Sequence, residues 1–382
     1  MRILPIASGK GGVGKSLAAA NLAIALGENG RDVVLADLDL GGSNLHMILG
    51  ITSPADGGGL GTYLTGSVAD FASIVHKTEY RNVRFVPGDG EIPGLANIMA
   101  NQKRKLLSRL RHLQCDYLIL DLGAGTSYNT LDFFLMGTRG IVITTPTPTA
   151  TVSAYLFLKN AVFRIMNSSF PKKSEAANFI ESLKKDGNGL QRAYIPAILE
   201  QISRIDPDRH RKCMGQIERF RPRLVLNMIE DPKDSERARK LRRSCSHYLG
   251  IELEHLGIIY RDDLQDIALS SRLPIIRYKP QSVLSQAVYR IADKLIGLED
   301  DGDDFLDFEH VDDSYREAGL EAEADFASKT SYVEDLLHTG ALTHGDLIET
   351  IKMQQIEINQ LKKENNLLKS KLVRAMQHGL GG

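Results

Sequence analysis

The residues whose types and spacing could do chemistry crowd into the first sixteen positions, as Ser8-Gly9-Lys10-Gly11-Gly12-Val13-Gly14-Lys15-Ser16. An apolar run, Ile3–Ala7, precedes them, and a helical pattern, Leu17–Leu26, follows. Glycines let such a turn curl until successive backbone N–H groups point at phosphate oxygens, and the next helix presents its positive end to the same anion. Lys15 would add charge at the β- and γ-phosphates, and Ser16 would supply a hydroxyl ligand for Mg²⁺. Gly11, Gly12, Val13, Gly14, Lys15 and Ser16 are therefore the expected nucleotide-binding residues, with ATP and Mg²⁺ as the expected ligands.

Two further runs end in acids. Val33-Val-Leu-Ala-Asp37-Leu-Asp39 places two carboxylates two residues apart, on one face of a strand end. Asp116-Tyr-Leu-Ile-Leu-Asp121-Leu-Gly-Ala-Gly125 reads as a buried strand that closes on an acid and then on two glycines. Asp121 is the expected acid that holds Mg²⁺ through water, and Gly123 and Gly125 would let the following loop change shape when the γ-phosphate is lost.

These residues need a scaffold that brings strand ends together. Strand candidates are Ile3–Ala7, Asp32–Ala36, Val83–Pro87, Tyr117–Leu120, Gly140–Thr144, Arg223–Met228 and Glu254–Ile259, alternating with amphipathic helical stretches as repeated βα units do. The expected fold is α/β, a three-layer P-loop NTPase with a mostly parallel sheet over residues 1–298 and its ligand loops at the strands' C-terminal ends. Residues 168–222 break the rhythm with a polar helical insertion. Residues 299–335 begin Glu299-Asp-Asp-Gly-Asp-Asp304 and read as an acidic, disordered linker. Over 336–378, Ile351, Ile358, Asn365 and Leu372 recur at sevens, interleaved with Leu347, Gln354, Leu361, Leu368 and Ala375. These are the a and d positions of a coiled-coil helix, with Asn365 as the polar residue that can select two strands.

Lys10-Gly-Gly-Val-Gly-Lys15-Ser16 resembles the deviant Walker A motif of the ParA/MinD family, whose mark is a second lysine near the start of the loop. The resemblance implies ATP hydrolysis in a sandwich homodimer, with Lys10 reaching the partner subunit's ATP and Lys15 and Asp39 completing the catalytic set. In family terms Asp37 holds a Mg²⁺-bound water and Asp39 orients or deprotonates the attacking water. Asn227, which ends Leu224-Val-Leu-Asn227-Met, matches a family asparagine set against the adenine edge; the alternative is an amide that caps the helix after it. Asp39-Leu-Gly-Gly-Ser-Asn-Leu-His46 and Asp121-Leu-Gly-Ala-Gly-Thr-Ser-Tyr-Asn-Thr-Leu-Asp-Phe-Phe134 are most similar to FlhG-type, MinD-like members, which control flagellar number and placement. The implied function is a slow, partner-stimulated ATP switch that acts as a spatial regulator. ParA-type partitioning of DNA, MinD-type division-site control and a cofactor-assembly ATPase are the alternatives.

Composition sets limits on partners. The net charge of −1 conceals about −12 over residues 299–325, so the rest of the chain carries about +11. A basic body with an acidic tether suits anionic partners, or it folds the tether over its own basic surface. Lys233–Arg243, with bases at 233, 237, 239, 240, 242 and 243, is the helix a DNA-binding member would use. The narrow apolar seam near the C-terminus suits another helix better than lipid, so membrane association has no clear anchor. Protein partners, among them flagellar basal-body or switch components, would dock on the coiled coil or the insertion. No secretory signal and no run of about 18 apolar residues is present, which gives a cytoplasmic reading, with the inner face of the cell membrane as a peripheral site. Cys115, Cys213 and Cys245 are scattered without the Cys-x-x-Cys pair that cluster assembly needs.

Overall fold

A computed structural model describes residues 1–51, 58–88, 98–185, 194–298, 308–338 and seven positions between 345 and 359. Met1–Asp325 forms one compact unit and Phe326–Gly382 a second.

The first unit is built on one sheet of β1 (Arg2–Ala7), β2 (Val33–Leu38), β3 (His76–Lys77), β4 (Val83–Val86), β5 (Tyr117–Leu122), β6 (Ile141–Thr144), β7 (Arg223–Ile229) and β8 (Glu254–Tyr260). Their order across the sheet is β3-β4-β2-β5-β1-β6-β7-β8, and every pair is parallel except β3 with β4. The strands are continuous apolar runs because helices cover both faces. Side chains alternate between those faces: Leu118 and Leu120 enter one core with Phe134, Phe157 and Leu158, and Tyr117 and Ile119 enter the other with Leu22, Ile24 and Ile291. All seven strands expected from the sequence form; β3 was not expected, since two residues carry no periodicity. Among the described residues no helix is long and apolar enough to cross a membrane.

Among the described residues of 168–222, the helices Glu175–Lys185, Ile195–Ile205 and Pro207–Arg219 form. Proline opens the last two, where a missing N–H costs nothing, and Asp206 caps the third by accepting from Arg209 N at 3.1 Å. Their buried stripe, including Ile180, Leu199, Ile202 and Ile217, joins the core under the helix Pro148–Ser169, so the segment thickens one layer of the sheet's covering.

The acidic segment corrects the sequence reading. Residues 308–338 are a helix, not a disordered linker. Val311, Tyr315, Ala318 and Ala322 recur at spacings of four, three and four and are buried, an apolar stripe that the surrounding carboxylates hide in a composition count. Tyr315 Oη donates to Leu253 O at 2.8 Å, Ser314 Oγ accepts from His255 N at 3.1 Å, and Tyr260 Oη donates to Ala322 O at 2.7 Å, so this clasp lies along the edge strand β8. Its acids meet the basic body: Asp312 pairs with Arg242 at 2.5 Å, Asp325 with Arg290 at 2.5 Å, and Glu321 with Lys294 at 2.7 Å. The run 299–307 and the heptads beyond Asn359 lie outside the described residues; within the second unit Ile351 and Ile358, two of the a positions, are exposed.

The clasp should be a stability element. Tyr315→Ala removes a buried ring, its hydrogen bond and its contact with His255, and urea unfolding followed by circular dichroism should show a loss of about 3 kcal/mol. Tyr315→Phe, which leaves only the Leu253 carbonyl unanswered, should cost about 1 kcal/mol.

Candidate functional site

The phosphate loop hangs from the C-terminal end of β1 and runs into the helix Lys15–Glu28. Gly12 at φ 76° and Gly14 at φ 83° occupy the left-handed region that other residues avoid, and this is how the loop curls back on the helix start. Gly9 is required for another reason: a Cβ there would sit 2.0 Å from Ser153 O, so the helix Pro148–Ser169 packs directly on the loop's backbone. Ser8 Oγ donates to Lys10 O at 2.9 Å, and Gly125 N donates to Ser8 O at 3.0 Å, which joins the loop after β5 to the phosphate loop. Lys10 is exposed, and its Nζ donates to Thr149 Oγ1 at 3.0 Å.

Below the loop, the register of β2 against β5 sets Asp37 beside Asp121. Lys15 Nζ bonds Asp121 Oδ1 at 2.8 Å and lies 3.5 Å from Ser16 Oγ. Relative exposures of 8% for Lys15, 0% for Asp37 and 1% for Asp121 place two acids and one base almost wholly out of water. Burial, reinforced by the charge of Asp121, pushes the Asp37 carboxyl up to about 7 despite the bonds it accepts. Those bonds come from Asp39 N at 3.1 Å, Ser43 Oγ at 2.6 Å and Leu45 N at 3.3 Å, so Asp37 also organises the loop after β2. Burial raises Asp121 as well, although Lys15 pulls the other way. Asp39 is half-buried and stands close to the backbone of Gly42 and Gly123, between the loops that follow β2 and β5.

The donor set fits a hard divalent cation. Ser16, Asp37 and Asp121 offer only oxygen, and two buried carboxylates answered by one lysine leave an uncompensated negative charge that a cation would balance. Among the described residues no cluster of three His, Cys, Asp or Glu side chains forms a metal cage of its own. Magnesium that is shared with phosphate oxygens needs no such cage.

Beside Gly14 a cavity of about 190 Å³ opens between the ends of β7 and β8. Asn227 forms part of its wall, and Asn227 Nδ2 donates to Val13 O at 2.8 Å while its Oδ1 accepts from Met228 N at 2.9 Å. The expected alternative, that Asn227 caps the following helix, is not what its bonds do: it braces the phosphate loop. Leu17, Ile259, Leu284 and Val288 give the cavity apolar faces, and Asp262, Asp263 and Gln265 give it a polar rim. The rim is absent from the sequence reading; the only signal for it was the rule that ligand loops follow strand ends, applied to β8. Ser43 and Thr149, the partners of Asp37 and Lys10, carry no sequence signal at all.

A parallel sheet that carries a strand–loop–Lys-Ser–helix unit at its central strand, with acids on the neighbouring strand ends, defines a P-loop NTPase. Within that class, residues 1–159 match the ParA family model, described as a NUBPL iron-transfer P-loop NTPase. Flagellum site-determining protein YlxH of Helicobacter pylori is 26% identical over 304 residues, 77% of this chain and 82% of that protein. Antiactivator FleN of Pseudomonas aeruginosa is 26% identical over 306 residues, 77% of this chain and 86% of that protein. Among solved structures, the septum site-determining protein MinD of Pyrococcus horikoshii, complexed with Mg-ADP, shares the fold with a TM-score of 0.54 at 22% identity, covering 80% of this chain and 99% of that one.

The Asp37 carboxyl gives a pH test. A carboxyl whose folded pKa of about 7 lies above its ordinary value of 3.8 binds its proton more tightly when folded, so it costs stability progressively as pH climbs through that window. Asp37→Asn should therefore melt a few degrees above the parent protein at pH 8 without nucleotide. That gap should close as pH falls towards 4, read by differential scanning fluorimetry.

Proposed function

We propose that this chain is an ATP-hydrolysing dimerisation switch that regulates where or how many flagella are built. The observation that carries the first part is the junction of Lys15, Asp121 and Asp37 under a loop that also presents Lys10. The similarity to YlxH and FleN over more than three quarters of the chain supports the second.

In this reading the backbone of Gly11 to Ser16 wraps the phosphates, and Lys15 leaves Asp121 to meet the β- and γ-phosphates. Ser16, with Asp37 and Asp121 acting through water, would hold Mg²⁺, which would neutralise charge on the phosphate oxygens. Asp39 aligns a water for attack on the γ-phosphorus; the bond from that phosphorus to the β–γ bridging oxygen breaks, leaving ADP and inorganic phosphate. The protein supplies alignment and fixed charge, which is most of what phosphoryl transfer needs. Lys10, exposed and resting on Thr149, is free to swing to a nucleotide in a second copy. Loss of the γ-phosphate would be felt at once by the loop after β5, since Gly125 is bonded to Ser8. Slow turnover, partner stimulation and docking of basal-body components through the insertion or the exposed a positions of the second unit belong to the same proposal.

The alternatives have less support. Of the six bases proposed for DNA contact, Arg239 and Arg242 are half-buried, and Arg242 is engaged by Glu252 and Asp312, which leaves Lys233, Arg237, Lys240 and Arg243 on the open face. Cluster transfer, to which the description of the family model points, needs thiolates. Burial raises the thiols of Cys115, Cys213 and Cys245 instead of activating them.

Asp39→Ala should bind ATP and hydrolyse it about a hundredfold more slowly than the parent. With ATP and Mg²⁺ it should persist as a dimer by multi-angle light scattering in a chain ending at Asp325, the end of the compact unit. The same chain with Lys10→Ala should stay monomeric. A monomer in both, with nucleotide bound, would remove the dimer switch from this account.

A further inference from the structure

The cavity beside Gly14 holds three carboxamides, and two of them are already occupied. Asn227 is spent on Val13 and Met228. Asn21 Nδ2 donates to Leu17 O at 2.7 Å, and its Oδ1 accepts from Ile276 N at 3.1 Å. Gln265 differs: its Nε2 is buried and has no hydrogen-bond partner among the described residues. A buried N–H donor left unanswered is costly, and native structures tolerate few of them.

The backbone under Gln265 is fixed. Gln265 N donates to Asp262 O at 3.0 Å, and Leu264 N donates to Asp262 Oδ1 at 3.0 Å, so a tight turn after β8 sets Gln265 in the first turn of the helix Leu264–Ser270. It lines the same cavity as Gly14 and the apolar side chains of Leu17, Leu284 and Val288. A flat heteroaromatic ring joined to phosphates at Gly14 would find both apolar side chains to pack on and a polar rim for its edge in this cavity.

We propose that the Gln265 carboxamide is the group that selects adenine, its Nε2 donating to the ring N7 while its Oε1 accepts from the N6 amine. This rests on the reading of the loop as an ATP site. The two-point match is the one an amide makes with adenine; guanine presents an acceptor at both positions, which would set its O6 against Oε1. Asn227 becomes a brace for the phosphate loop, and base discrimination passes to the next strand end.

The test is displacement of a ribose-labelled fluorescent ATP from the full chain by ATP, 7-deaza-ATP and GTP. The parent protein should bind 7-deaza-ATP about tenfold more weakly than ATP, the loss of one hydrogen bond to N7. Gln265→Met should bind the two equally and lose most of its preference for ATP over GTP, with its melting temperature and its preference for triphosphate over diphosphate intact. Gln265→Glu, which keeps the shape but removes the donors, should behave as Gln265→Met does towards 7-deaza-ATP. Lys15→Ala is the control for the underlying reading and should abolish binding of all three. If Lys15→Ala binds ATP as the parent does, the nucleotide site and the assignment of Gln265 fall together. If Lys15→Ala does not bind, but the parent treats 7-deaza-ATP and ATP alike, the assignment of Gln265 alone is overturned.

Discussion

Two acids and one base are buried side by side at the end of a sheet, and the rest of the molecule is arranged around that imbalance. The parallel register of β2 and β5 leaves no freedom in it: once the strands pair, Asp37 and Asp121 are neighbours. Lys15 answers only one of them. Isolated charges in so dry a place would shift or neutralise, and the elevated Asp37 carboxyl shows that pressure. A site held in electrostatic deficit favours a ligand that brings its own cation, and it places that preference where backbone N–H groups can receive the accompanying anion. Stability has been surrendered locally so that binding can restore it.

The sequence displayed this centre clearly because its parts are local. Glycines before Lys15-Ser16, a strand that ends on Asp37 and another that ends on Asp121 each announce themselves within about ten residues, and the βα rhythm then fixes where they meet. Contacts that depend on distant chain crossing were not legible. No spacing rule links Lys10 to Thr149 or Asn227 to Val13, and nothing in Arg261-Asp262-Asp263 marks it as the rim of a cavity beside residue 14. The clasp was misread because composition averages over a helix. Thirteen acids between residues 299 and 325 dominate any count, yet Val311, Tyr315, Ala318 and Ala322 fall on one buried stripe, and Asp312, Glu321 and Asp325 find arginine and lysine partners.

The clasp also accounts for part of the uneven charge. A chain with about +11 on its body and about −12 in one segment has a strong internal attraction, and the pairs of Arg242, Arg290 and Lys294 with that segment satisfy part of it. Covering that edge removes a row of backbone groups that would otherwise be available to another chain. The apolar stripe supplies adhesion and the ion pairs supply register, a division of labour suited to a helix that joins the sheet from beyond its last strand. Tyr260 belongs to both neighbourhoods: it lines the cavity, and its hydroxyl holds the clasp.

The place of β1 in the sheet bears on how the chain is made. It precedes the other strands of its sheet in the chain, yet it lies between β5 and β6, whose last residue is Thr144. The phosphate loop is therefore synthesised well over a hundred residues before the strand that completes its frame, and the covering of β8 waits for residues beyond 308. Contacts between such distant segments make assembly slow and leave apolar strand edges bare in the interval. The nascent chain is thus most exposed to misassociation while its most reactive segment stands complete in sequence and unformed in space.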